Sequence, residues 1–416
     1  MPARPLLNLT RLGWGLAVPV VLLSAIGLAC IHATDRSAAR AAAAGRAAAG
    51  LTEEPWLVRA WTWIGPQTIR QSLFMLTGVV LMFAALAANY ERIGRYAYLI
   101  YGVTIALLLV LVLDRVLEER GLPGIPFVPV VRHTRRWIEL FGVRVQPSEF
   151  VKLALVLTLA RYLRFRSSYR HWWGLLGPFL LTLLPMVLIL FQPDLGTLLM
   201  LLPVLFALLF VAGARLRHLL IIVALGAATL PLFYFYGMKP YQRARIEVLW
   251  KQHTADPTWH LDQGYQLRQS KIALGTGGLW GQGYGEGLFL EYDGLLPEEH
   301  NDFIFAIIGH QWGLVGAALV ILAYAVIVLV GLEVALITND PFGRLLAVGV
   351  VVMISVQALL NIGMTIGLAP ITGMPLPFVS AGGSSLWTNF LGLGLLVNIA
   401  QRRPLHIAPP PFEYDD

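Results

Sequence analysis

Residues 172–212 read WWGLLGPFLLTLLPMVLILFQPDLGTLLMLLPVLFALLFVA, two long apolar runs broken by one polar turn, Gln192-Pro193-Asp194-Leu195-Gly196-Thr197. A helix rises 1.5 Å per residue, so about 20 apolar residues match the roughly 30 Å hydrocarbon core of a bilayer. Each run is therefore a candidate transmembrane helix, and the turn reverses the chain at one membrane surface. The same pattern recurs on both sides. Spans are expected at about 12–32, 71–89, 96–113, 149–165, 172–191, 196–214, 218–237, 313–336, 345–368 and 384–400. The expected fold class is all-α, a polytopic membrane protein of about ten transmembrane helices. One membrane domain covers 1–416, with a long ordered outer loop, 238–302, between helices 7 and 8.

Of the 416 residues 57% are hydrophobic and 13% charged, against roughly 25% charged in a soluble domain, which excludes a water-soluble globule. Lys and Arg number 31 against 24 Asp and Glu, a net charge of +7. Because these charges lie between apolar runs, phosphate-bearing lipid or a membrane surface is the expected partner, with no nucleic acid. Cys30 is the single cysteine, so neither an intramolecular disulfide nor a multi-thiolate metal site can form. Gly27 stands where a lipoprotein signal ahead of Cys30 has an aliphatic residue, and the first run reads as an uncleaved signal anchor.

Short-loop Lys and Arg set orientation. With the N-terminus cytoplasmic, the inside segments carry Arg4, Arg11, Arg92, Arg95, Arg161, Arg164, Arg166, Arg170, Arg215, Arg217, Arg344, Arg402 and Arg403. The short turns around Pro193 and Pro370 carry none, so both termini are expected inside. Loop 238–302 contains Tyr241, Ile246, Leu249, Trp250, Trp259, Tyr265, Leu267, Ile272, Leu274 and Trp280, enough apolar surface for an ordered cap on the outer face. Ala38 to Ala49 reads as a helix or a flexible linker.

Ionisable residues inside spans are functional candidates, because a charge at the bilayer centre costs about 2.5–3.5 kcal/mol on insertion scales. Glu149 and Lys152 stand three apart, on one helical face. They suit either a self-neutralising pair or a role in an active cavity. Asp194 suits either the N-cap of the following helix or the polar wall of an outward cavity. Gly275-Thr276-Gly277-Gly278 with Gly281, Gly283, Gly285 and Gly287 has no dinucleotide register. It reads as a flexible hinge or as backbone N–H groups for a pyrophosphate, with Lys271 the more specific phosphate-binding hint. In Leu296-Pro297-Glu298-Glu299-His300-Asn301-Asp302-Phe303-Ile304-Phe305, Asp302 sits where the chain re-enters the membrane. Desolvation there favours proton uptake by a carboxylate, and capping of the eighth span is the competing and compatible role. From Pro370 to Ser385, Pro370, Pro375 and Pro377 preclude a regular helix while Gly382 and Gly383 permit close backbone approach, so this stretch is expected to line a cavity. His133, His253, His260, His300 and His310 lack ligand spacing, and no tightly held zinc is expected.

In this order, several stretches resemble the SEDS family of bacterial cell-wall polymerases, which includes RodA and FtsW. They are Arg136-Trp137, Gln146-Pro147-Ser148-Glu149-Phe150-Val151-Lys152-Leu153, Gln192 to Thr197, Gln269 to Gly278, Leu296 to Ala306 and Gly373 to Ser385. The resemblance implies a ten-helix glycosyltransferase of the bacterial cytoplasmic (inner) membrane, active on its outer face. It polymerises lipid II, a disaccharide-pentapeptide on undecaprenyl pyrophosphate, into peptidoglycan strands. A class B penicillin-binding protein transpeptidase is the implied partner. The family's essential aspartate falls on Asp302, the implied general base. Arg136, Arg243, Arg245 and Lys271 would face the anionic donor, while Asp194, Glu149, Lys152, Ser380 and Ser384 would line the cavity. No tightly bound cofactor is implied; a loosely held divalent cation, magnesium or manganese, would fit the pyrophosphate, with its ligands unknown. Family members usually have Tyr at Ala381 and acidic residues near His310 and Gln311. The Gln-Ser-Lys-Ile-Ala stretch around Lys271 looks more like the RodA branch of cell elongation and cell shape than the FtsW branch of the division septum. Rival readings are a lipid II flippase and a non-catalytic scaffold for a penicillin-binding protein. A flippase needs access from both faces, whereas the unusual motifs gather on the outer side.

Overall fold

The computed structural model describes residues 13–48, 63–131, 134–140, 142–166, 170–252, 264–291 and 294–402. Every one of the ten expected spans falls on a helix: α1 (Trp14–Ala48), α2 (Pro66–Ala87), then after the short α3 (Tyr90–Arg95), α4 (Ala97–Glu119), α5 (Pro147–Leu163), α6 (Trp172–Leu190), α7 (Leu195–Ala212) and α8 (Leu216–Leu232). A π-helical turn, Phe233–Gly237, extends α8. The long loop folds into α9 (Pro240–Lys251), α10 (Tyr265–Gly277) and α11 (Leu288–Glu291), followed by α12 (Ile304–Ile337), α13 (Pro341–Ile366) and α14 (Gly383–Gln401). Trp259 of the expected cap, and both chain ends, lie outside the described residues. An antiparallel hairpin, β1 (Ile138–Leu140) and β2 (Val143–Val145), pairs Ile138 with Val145 just before α5.

Among the described residues, eight helices are long and apolar enough to cross a membrane. The other two expected spans, α5 and α14, differ for a physical reason. They are buried along most of their length and carry Ser148, Glu149, Lys152 and Thr158, and Ser384, Ser385, Thr388, Asn389 and Asn398, respectively. Their surroundings are other helices, so their polarity is matched by protein rather than by lipid. Peripheral helices instead expose apolar side chains such as Leu180, Leu220, Leu225 and Leu329, the surface a hydrocarbon solvent requires.

Helix α1 runs through the Ala-rich stretch to Ala48, as the high helix propensity of alanine favours. Beyond the expected span end it carries Asp35, which accepts from Thr68 N (2.7 Å) and Thr68 Oγ1 (2.6 Å). The first turn of α2 has no side-chain cap of its own, so a carboxylate from a neighbouring helix satisfies its orphan N–H group.

Helix α12 begins nine residues before the expected 313 and is broken at Gly313 (φ 63, ψ −158). The glycine-rich segment docks onto that break. Gln282 N donates to His310 O (2.9 Å), Gly283 N to Gln311 O (3.1 Å), Leu314 N to Gly278 O (2.9 Å) and Val315 N to Leu279 O (3.2 Å). A Cβ on Gly281 would stand 2.1 Å from Gln311 O, and one on Gly277 1.9 Å from Gly309 O. The glycines thus serve a backbone-to-backbone joint. The N–H groups of Gln282 and Gly283 face helix carbonyls, where a pyrophosphate-binding loop would leave them open.

Candidate active site

Asp302 stands on a turn fixed along its backbone. Glu298 O accepts from Asn301 N (3.1 Å), Asp302 N (3.1 Å) and Phe303 N (3.3 Å). On the other side of these peptides, His300 O accepts from Ala381 N (2.9 Å), Asn301 O from Ser380 Oγ (2.5 Å) and Asp302 O from Asn361 Nδ2 (2.8 Å). Phe303, not Asp302, is the N-cap residue of α12, and its side chain makes no capping hydrogen bond. The capping role weighed for Asp302 therefore gives way. Its carboxylate faces Gly373 instead, where an added Cβ would lie 3.3 Å from Asp302 Oδ2. Gly373 has φ +69, so glycine there supplies both the left-handed backbone and the clearance.

The irregular segment between α13 and α14 gathers most of the other candidates. Ser380 Oγ accepts from Leu376 N (2.7 Å) while donating to Asn301 O, and Ser384 Oγ accepts from Gln146 N (2.9 Å). Asp194 takes the capping role weighed for it. It caps α7 through Thr197 N (3.2 Å) and also accepts from Thr197 Oγ1 (2.9 Å), Ser148 Oγ (3.0 Å) and Gln146 Nε2 (3.2 Å). Its turn packs on the same irregular segment, since a Cβ on Gly196 would meet Met374 Cγ at 2.3 Å and Thr372 O at 3.1 Å. Lys152 Nζ lies 2.6 Å from Glu149 Oε2 and 3.1 Å from Gln357 Oε1. Gln357 in turn donates to Pro375 O (2.8 Å) and Ser385 Oγ (3.1 Å). Asp302, Asp194, Glu149, Lys152, Ser380 and Ser384 thus belong to one polar layer built around residues 372–385.

Three of the four expected donor-facing cations, Arg136, Lys271 and Arg243, are placed differently. Arg136 Nη2 donates to Pro193 O, next to Asp194, at the edge of the layer. Lys271 Nζ donates to Gln252 Oε1, and Gln252 Nε2 reaches Gly367 O (3.3 Å) just past the end of α13. Arg243 is turned toward the π-helical turn. It donates to Met238 O (3.1 Å) and Phe235 O (2.9 Å) and lies 6.0 Å from the Tyr234 ring centroid. Nearby, the Lys251 ammonium and then the Tyr234 hydroxyl hold the Glu247 carboxyl below the usual carboxylate range. Among the described residues, no three His, Cys, Asp or Glu side chains are placed to hold a metal ion.

Sequence reasoning missed Asn361 and Gln357, uncharged amides inside a strongly apolar helix, and Asp114. Asp114 is fully buried, accepts from Ile125 N (2.6 Å) and pairs with Arg135, whose Nε also lies 2.9 Å from Glu118. The available signal was the one used for the charged residues: a polar side chain within or beside a span needs a partner.

With this geometry in place, the comparisons with known proteins agree in kind. Residues 65–404 match the family of cell cycle proteins FtsW, RodA and SpoVE. A Geobacter metallireducens protein named probable peptidoglycan glycosyltransferase FtsW is 36% identical over 336 residues, 80% of this chain and 84% of that one. Peptidoglycan glycosyltransferase MrdB of Escherichia coli K12 is 37% identical over 280 residues, 67% of this chain and 74% of its own. The crystal structure of the Thermus thermophilus rod shape determining protein RodA aligns at TM-score 0.64 and 26% identity, covering 95% of this chain and 99% of that chain. A chain from a peptidoglycan synthase complex, solved for its structural coordination of polymerization and crosslinking, aligns at TM-score 0.72 and 26% identity, covering 94% and 98%. The chain belongs to the FtsW/RodA/SpoVE family of membrane proteins, the SEDS family.

Proposed function

We propose that this peptidoglycan glycosyltransferase polymerises lipid II for cell elongation, with Asp302 as general base. The observation that carries the reading is the Asp302 turn, a carboxylate on a backbone fixed from both sides, facing a glycine at the border of a buried polar layer. Turning an α-linked donor into a β-linkage takes a single in-line displacement, so one base suffices and no carboxylate nucleophile is needed. Asp302 accepts the proton of the acceptor 4-hydroxyl as that oxygen bonds to the donor anomeric carbon. The bond from that carbon to the pyrophosphate oxygen breaks, and undecaprenyl pyrophosphate leaves with the electron pair. Cations stabilise the departing charge, the role given to Lys271, Arg136 and Arg243. Asp194, Glu149, Lys152, Ser380 and Ser384 shape the cavity floor.

A class B penicillin-binding protein transpeptidase is the partner in this reading, supported by the similarity to a chain of a complex that couples polymerization and crosslinking. The chain lies in the bacterial cytoplasmic membrane with both termini cytoplasmic and the Asp302 face outside, the orientation favoured by the short-loop arginines. Purified protein given labelled lipid II, alone and with the transpeptidase, should yield glycan polymer on gels; none under either condition would refute the activity. Division is the second reading, because relatives named FtsW match 80% of this chain and MrdB matches 67%. Depletion in the native bacterium should produce rounded cells; filaments with blocked septa would assign the chain to division.

A further inference from the structure

Asn361 ties the Asp302 turn to the segment its carboxylate faces. It is fully buried in α13 and donates both amide hydrogens, to Asp302 O (2.8 Å) and to Met374 O (2.7 Å). Both partners are carbonyl oxygens and can only accept, so the orientation of the amide is unambiguous. Met374 follows Gly373, the residue opposite the Asp302 carboxylate. One side chain therefore sets the spacing between the Asp302 peptide and the irregular segment across from it. The opposite end of the amide, Oδ1, is buried and has no hydrogen-bond partner among the described residues. His300 O and Asn301 O are held from the 380–381 backbone and side chain; Asp302 O is held by Asn361 on a separate helix.

We infer that Asn361 is a positioning residue for Asp302, setting the carboxylate against Gly373 and thereby the rate of proton transfer. The inference rests on Asp302 being the base. Its test is steady-state lipid II polymerisation by the purified full-length protein with its transpeptidase, comparing wild type, Asn361→Ala, Asp302→Asn and the double variant. Asn361→Ala should lower kcat about 10–100-fold, the range expected for a displaced catalytic group, with KM for lipid II within about threefold of wild type. In the Asp302→Asn background the same change should lower kcat by less than about threefold, because no base remains to be positioned. An equal loss in both backgrounds, or unchanged kcat in Asn361→Ala, would overturn the inference while leaving Asp302 in place. Near-normal polymerisation by Asp302→Asn alone would overturn the base assignment itself, whatever Asn361 does. If Asn361→Ala does not elute as a folded species, Asn361→Ser retains one donor. It should lose an intermediate part of kcat, and wild-type kcat in that variant would count equally against the inference.

Discussion

Replacing Lys152 with methionine isolates the energetics of the intramembrane polar layer. Lys152 is 1% exposed and its nitrogen lies 2.6 Å from a Glu149 carboxylate that is 6% exposed. At an effective dielectric near 20 the gross attraction at that distance is on the order of 6 kcal/mol. Desolvating two ions opposes it by several kcal/mol each, so the intact pair contributes little net stability. Removing one partner is different. Lys152→Met leaves the Glu149 carboxylate buried without its cation and should destabilise by about 3–5 kcal/mol. Combining it with Glu149→Gln removes both charges at similar volume and should recover a large part of that loss. Thermal unfolding of the purified variants in one detergent measures both effects. Lys152→Met as stable as wild type, or a double variant as unstable as the sum of the singles, would refute the reasoning.

The other perturbations probe separate parts of the architecture. Gly313→Ala places a Cβ 2.5 Å from Gly281 N and from the Leu279 carbonyl at φ +63; it should cost about 2–4 kcal/mol in the same unfolding assay. Asp114→Ala strands the buried end of Arg135 and frees Ile125 N. It should expose the 120–137 connection to limited proteolysis, and an unchanged cleavage pattern would count against that anchor. If Lys271 holds the donor as proposed, Lys271→Ala should raise KM for lipid II while the protein still folds and binds its partner, because a charge-assisted contact to pyrophosphate would be lost; unchanged turnover would remove Lys271 from the donor site.

The ten helices were legible because a lipid solvent imposes a long, simple apolar pattern, and the Glu149–Lys152 pair because helical spacing brings residues three apart together. Where the reading slipped, the cause was tertiary. The start of α12 was placed too late because Gly309, His310, Gln311 and Gly313 dilute the apolar pattern, and their neighbours lie in the glycine-rich segment about 30 residues earlier in the chain. That segment looked like a hinge or a phosphate nest because sequence shows a glycine without the backbone it must approach. Asp194 was legible as a cap, but its bonds to Ser148 and Gln146 come from a distant helix start. Asn361 and Gln357 were passed over because an uncharged amide in an apolar run is tolerable by composition; only contact with Asp302 O, Met374 O and Pro375 O gives them a role.

Glycan polymerisation by purified Asp302→Asn is the most direct measurement. Asparagine keeps the size and the hydrogen-bonding capacity of the side chain and removes proton acceptance. Asp302 is not the N-cap residue of α12, and asparagine caps a helix about as well as aspartate, so folding and transpeptidase binding should persist. The rate should fall by roughly 10²–10⁴, the usual contribution of a general base. A folded, partner-bound Asp302→Asn that polymerises lipid II at close to the wild-type rate would contradict the assignment and move the base elsewhere, with Asp194 next to be tested.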